Sequence, residues 1–188
     1  MVNVRPFLLA QGVRAMFGLN EKVVFAGHGV ARISRIIERS IGGSSCKLFE
    51  LTFLNNDMTI LVPINSSSHT GIRKISSSDN VEKAYLTIAQ PAKKTDCPEL
   101  TASSWNKRNR DYHNKLRTGS LLDLSEIYRD LSYIATYKEL SFGEKNLLKQ
   151  TEQLLAEEIG ESRHKDPDEI IAYIRSSLCK YSLAEIPG

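Results

Sequence analysis

The chain changes its hydrophobic period once, at the serine run Ser76-Ser77-Ser78. Before it, Phe49, Leu51 and Phe53 alternate with Glu50 and Thr52, the chain turns at Asn55-Asn56-Asp57, and Met58, Ile60, Val62 and Ile64 return with the same period. A period of two puts one side of a strand in a core and the other in water. Upstream, Lys22 to Phe25 and the β-branched run Val30 to Ile37 flank Gly27-His28-Gly29, and Ile41-Gly42-Gly43-Ser44-Ser45 supplies a second turn. Glycines there allow positive φ without steric cost. About five short strands with turn signals every 8 to 12 residues predict a small antiparallel barrel or curled sheet.

After the serines the period becomes helical. Asp79 with Glu82 has the form of a capping box, and Val81, Tyr85 and Ile88 make a short amphipathic helix that stops before Pro91. Four further helices follow. One runs from Ser104 to about Arg117, the next opens at Asp123 with Glu126, the third follows the capping box Ser141-Phe142-Gly143-Glu144, and the last follows Asp166-Pro167. The fold class expected is α+β: a barrel-like antiparallel β domain followed by an all-α bundle. The expected division is an N-terminal extension at 1–18, a β domain at 19–90, a linker at 91–102 containing Pro91 and Pro98, and a helical domain at 103–188. Met16 remains an alternative start.

Composition excludes more than it identifies. With 41% hydrophobic and 25% charged residues the chain is ordinary globular material. The net charge of +3 does not indicate a nucleic-acid partner by itself. The three cysteines, Cys46, Cys97 and Cys179, stand far apart, which favours a reducing cytoplasm over a disulfide framework. His28, His69, His113 and His164 are scattered, so neither a metal nor a cofactor is expected. The apolar piece Phe7-Leu8-Leu9-Ala10 is too short for an export signal or an anchor. There is no GxxxxGK[ST], GxGxxG or GxSxG, and His28 between two glycines reads as a turn rather than as a base, so no enzyme is expected.

The chemistry is concentrated in Trp105-Asn106-Lys107-Arg108-Asn109-Arg110-Asp111-Tyr112-His113-Asn114-Lys115-Leu116-Arg117, which holds the one tryptophan of the chain. At 100° per residue Lys107, Arg110, Asn114 and Arg117 line one face, opposite Trp105, Tyr112 and Leu116. A basic stripe on an apolar seam can meet backbone phosphates. It can equally be a solvated helix face, and Trp105 can be a core residue. In the first turn after a linker, however, its side chain can project past the end of the bundle.

Four stretches together resemble the CarD/CdnL family of bacterial RNA polymerase-binding regulators. They are Glu21 to Phe25 with His28 to Ala31; Met58 to Pro63; Trp105 to Arg108; and Arg129-Asp130-Leu131 followed by Leu140 to Lys145. The last pair is similar to the family's RDL and LSxGEK signatures, and the match runs from about Phe17 to Ile159. The resemblance implies a Tudor-like N-terminal domain that contacts the polymerase β subunit. It also implies a helical domain whose tryptophan wedges into the minor groove of promoter DNA at the upstream edge of the bubble. Arg39 matches a polymerase-contacting arginine, and Leu61 stands where some members carry a second one. Trp105 matches the wedge, and Lys107, Arg108 and Arg110 match basic positions beside DNA. An aromatic wedge holds a distorted duplex while adjacent cations position it without reading sequence. The competing readings are a promoter-specific helix-turn-helix repressor and a polymerase-binding adaptor that never touches DNA. A repressor would need a base-reading recognition helix, whereas the basic residues here cluster beside the expected linker.

Overall fold

A computed structural model of the protein describes residues 17–41, 44–64, 71–92 and 102–182. The Gly42-Gly43 turn, the expected extension up to Met16 and most of the expected linker lie outside them. The described residues form five strands and then five helices: β1 (Lys22–Phe25), β2 (Gly29–Ile41), β3 (Ser44–Phe53), β4 (Thr59–Pro63), β5 (Ile72–Lys74), α1 (Ser78–Ala89), α2 (Ala102–Thr118), α3 (Leu121–Tyr137), α4 (Phe142–Arg163) and α5 (Pro167–Ser182).

The strands form one antiparallel sheet in the order β4-β3-β2-β1-β5. This corrects the expected barrel. Closing it would require β4 to pair with β5, and β5 offers only three residues, all engaged along β1. Alternation works as expected on the core face, where Val23, Ala31, Ile33, Phe49, Leu51, Phe53 and Val62 are buried together with Phe17. A register shift between Ile33 and Arg35 bends β2. Ser34 at this bulge donates to the Glu50 carbonyl at 3.0 Å. Gly27 and Gly29 take φ of 74° and 104°, as the turn between β1 and β2 requires. His28 lies against Phe25 and Phe53, with ring centroids 4.9 and 6.0 Å away.

In the helical half, Ser141 and Glu144 form the expected capping box, with Ser141 N donating to Glu144 Oε2 at 2.8 Å and Glu144 N to Ser141 Oγ at 3.3 Å. Three other starts fall earlier than expected, α2 beginning at Ala102 rather than at Ser104. α1 is preceded by Ser77 rather than capped by Asp79, and α3 is capped by Ser120, whose hydroxyl accepts from the Asp123 amide. At α3 the upstream serine takes the N-cap and leaves Asp123 in the first turn, where its charge meets the helix dipole; at α1 Ser77 holds the cap position without a side-chain hydrogen bond. Tyr128 of α3 donates to Glu152 Oε1 of α4 at 3.0 Å, and Arg175 of α5 clamps the same carboxylate at 2.8 and 2.6 Å. Burial would raise the Glu152 carboxyl pKa, but these partners hold it below its ordinary value.

Packing of α1 divides the chain differently from the expected boundary at residue 90. Val81, Ala84 and Ile88 belong to the same buried cluster as the apolar faces of α2 to α5. The connection between the β sheet and the bundle is therefore only Ile75-Ser76-Ser77, and the Pro-containing segment near residues 91–102 joins two helices of one bundle. A fragment covering residues 17–76 should unfold cooperatively. One covering 17–90 should show an unprotected α1 by amide exchange and should bind a hydrophobic dye, because burying Val81 and Ile88 is worth about 1.5–3 kcal/mol each and that burial is lost.

Candidate functional site

Three regions stand out: an outer face of the sheet, the end of the bundle bearing Trp105, and the dock that joins sheet to bundle. Register defines the first. Arg35, Glu50 and Leu61 lie opposite one another across β2, β3 and β4, and two residues along, Ile37, Leu48 and Pro63 repeat the row. Because side chains alternate, all six project from the face opposite the core, as does Arg39, which pairs with Cys46. The structure thus brings Arg39 and Leu61 to one face. Arg39 is exposed, Leu61 is 40% exposed on the edge strand, and Arg35 is held by Glu50 at 3.1 Å. Leu48 between them is buried, so the patch has a firm apolar floor with a cation at one end.

The second region is built by two short turns. Gly119-Ser120 and the residues 138–141 fold α2, α3 and α4 into successive antiparallel hairpins. The start of α2, the end of α3 and the start of α4 consequently meet at one end of the bundle. Trp105 is half-buried there, packed against the helical core, with its Cζ2 3.4 Å from where a Cβ on Gly143 would stand. It is neither a fully enclosed core residue nor a free one. Phe142, 80% exposed, and Tyr137, 62% exposed, stand at the same end. Neither was singled out from the sequence, although an apolar residue between the cap Ser141 and Gly143 has no helical partner to bury it, which is a legible signal.

Lys107, Arg110, Asn114 and Arg117 are all exposed along α2, as helical phase requires. Arg108 is placed differently from its two basic neighbours. It is 7% exposed, and its Nη2 lies 3.7 Å from Glu144 Oε1. The signal was available: Arg108 is three residues after Trp105 and four before Tyr112, on the apolar seam rather than on the basic stripe. Burial would push the Glu144 carboxyl up, but hydrogen bonds from the Ser141 amide and hydroxyl and from Lys138 Nζ outweigh it and hold the group below the usual glutamate range. Arg108, Lys138 and the helix cap therefore converge on the Glu144 carboxylate, one residue along α4 from the Gly143 beside which Trp105 packs.

The third region was not foreseen. Glu158 of α4, 1% exposed, receives Arg73 Nη1 and Nη2 at 2.5 and 2.7 Å and the Ser76 amide at 3.1 Å. Arg73 also donates to the Gly119 carbonyl from Nε at 2.7 Å and from Nη2. Around this pair, Asn55 donates to Glu157 at 2.8 Å, Lys22 to Glu161 at 2.5 Å and Ser162 Oγ to the Ser76 carbonyl at 2.8 Å. Two glycines let the halves approach. A Cβ on Gly119, at φ 66°, would lie 2.7 Å from the Ala26 Cβ, and one on Gly29 would collide with the Glu157 carboxylate.

Among the described residues no group of three or more His, Cys, Asp or Glu side chains is placed to hold a metal ion, and no helix is long and apolar enough to cross a membrane.

Comparison with known proteins bears on each half. Residues 17–76 match the CarD-like/TRCF RID domain, and residues 94–175 match the CarD C-terminal domain. The first match ends at Ser76, inside the short connector. Over 144 residues, 77% of this chain and 90% of the relative, the protein is 22% identical to "Putative transcription factor YdeB" of Bacillus subtilis (strain 168). With both domains present in order, the chain belongs to the CarD-like family of RNA polymerase-interacting transcription regulators.

Proposed function

We propose that this regulator binds the β subunit of RNA polymerase through the outer face of its sheet and stabilises the open promoter complex through the Trp105 end of its bundle. The observation that carries the reading is the placement of Trp105. A half-buried indole packed against the bundle core, with its Cζ2 3.4 Å from the Cβ position of Gly143, is held by the bundle while part of its surface stays open to solvent. An anchored ring loses little freedom when it meets a distorted base step, which favours a wedge. Lys107 and Arg110 on the same helix are free to meet phosphates and contribute no base readout. Arg108 takes part indirectly, through Glu144.

On the polymerase side, Arg39 and Leu61 share a face with an apolar floor, so contact there combines a rim charge with buried apolar area. The departure at Leu61 shifts this contact toward the apolar kind. The exposed stripe of α2 consists of cations and amides near Trp105, which favours backbone contact over the base-reading recognition helix that a repressor needs.

Three measurements test the proposal. Trp105→Ala should lower stability by only about 1–2 kcal/mol, as fits a half-buried ring. It should leave polymerase binding intact and shorten the open-complex lifetime about tenfold, within the range of a lost aromatic–base contact. Trp105→Phe should retain part of the effect. Equal lifetimes for wild type and Trp105→Ala would end the wedge.

The salt dependence of DNA binding separates the stripe from Arg108. Replacing Lys107 and Arg110 together with Ala should reduce the slope of log affinity against log salt by about 2, roughly 0.9 for each phosphate contact. Arg108→Ala should instead lower the melting temperature with little change of slope. Arg39→Glu should weaken binding to an isolated β-subunit fragment about tenfold, because a reversed charge meets a repelling partner; an unchanged Kd would remove Arg39 from the interface.

A further inference from the structure

The two proposed surfaces lie on different halves of the chain, and the structure joins those halves through very little backbone. Only Ile75-Ser76-Ser77 lies between β5 and α1. Ser76 is pinned at both ends of its own residue: its amide donates to Glu158, and its carbonyl accepts from Ser162. Arg73, just upstream, grips both oxygens of Glu158 and the Gly119 carbonyl just past the end of α2. A connector of three residues with its middle residue held from both sides does not swing. The carboxylate that holds it is buried on α4, the helix whose opposite end seats Trp105.

We propose that Arg73 and Glu158 are positioning residues of the Trp105 end: their ion pair locks sheet and bundle into one rigid body, so that docking on polymerase delivers the indole to a fixed point on the DNA. This rests on the proposed function above. Its physical content is effective concentration. When one site is engaged, the second binds intramolecularly, and the local concentration is highest when the rigid span matches the distance between the two targets. If the clasp opens, neither contact surface changes but the coupling between them falls. Glu158 also sits where a buried carboxylate is costly unless fully partnered, and every partner it has comes from the connector or its flank.

The test uses the full-length chain in two altered forms. Glu158→Gln keeps the side-chain volume but removes the charge that holds Arg73. The double change Arg73→Gln/Glu158→Gln removes both charges together, so that no buried charge is left unpaired, and it decides the matter if Glu158→Gln alone fails to fold. Three quantities are read for each form: affinity for the isolated β-subunit fragment, affinity for forked promoter DNA without polymerase, and lifetime of the open complex with polymerase. Small-angle scattering reports whether the two halves have separated. The expected result is that both separate affinities stay within about twofold of wild type while the open-complex lifetime falls about tenfold, with a larger maximum dimension. A purely structural role would instead lower all three quantities in parallel, and that outcome overturns the proposal, as does an unchanged lifetime in a form whose halves have come apart. Wild type and Trp105→Ala are run alongside: if those two have equal lifetimes, the wedge itself has failed, whereas a shortened lifetime for Trp105→Ala with unchanged lifetimes for both altered clasps indicts the clasp alone.

Discussion

The buried carboxylate of Glu158 is the interaction on which the arrangement depends. A glutamate with 1% of its surface exposed is unfavourable unless its charge is met, and here a bidentate guanidinium and a backbone amide meet it from the other half of the molecule. Neither half can satisfy the group alone. Two independently patterned units, one with period two and one with period 3.6, are thereby held in one relative orientation rather than in an ensemble.

The same dock explains residues that would otherwise look arbitrary. Gly119 ends α2 at positive φ, a common helix terminus, but its lack of a side chain also admits Ala26. Gly29 is required twice over, by φ and by the Glu157 carboxylate against it. α4 consequently buries Glu152, Glu157 and Glu158 as well as leucines, because it packs against the bundle on one side and the sheet on the other.

Much of this was legible in the sequence where local physics decides. The alternation from Phe49 to Ile64 places the right side chains in the sheet core except Met58, which is exposed before β4 begins, and Ser141 with Glu144 marks the start of α4. Closure of the sheet was not legible, because period two specifies strands and faces but not whether the first and last edges meet. The allegiance of α1 was obscured for a similar reason: its apolar spacing says that it buries a face, not which core receives it. Arg108 was grouped with Lys107 and Arg110 by the family resemblance, whereas helical phase already left it off the exposed stripe, and the structure turns it inward toward Glu144. Pro91 and Pro98 drew attention to a connection inside the bundle, while the true junction carries only serines and an isoleucine. The dock itself left no local trace, because Arg73, Gly119 and Glu158 are remote in the chain and each has an ordinary local explanation.

A locked junction turns the molecule into a lever. From Gly119 at the dock to Trp105, α2 rises by about 1.5 Å per residue, roughly 21 Å in all. Rotating the sheet on its support by about 5° would sweep the indole through roughly 2 Å at that radius. Stiffness at Ser76 therefore acts as a tolerance. Any partner that tilts the sheet slightly moves the aromatic tip by a distance of that order, without touching the helices at all.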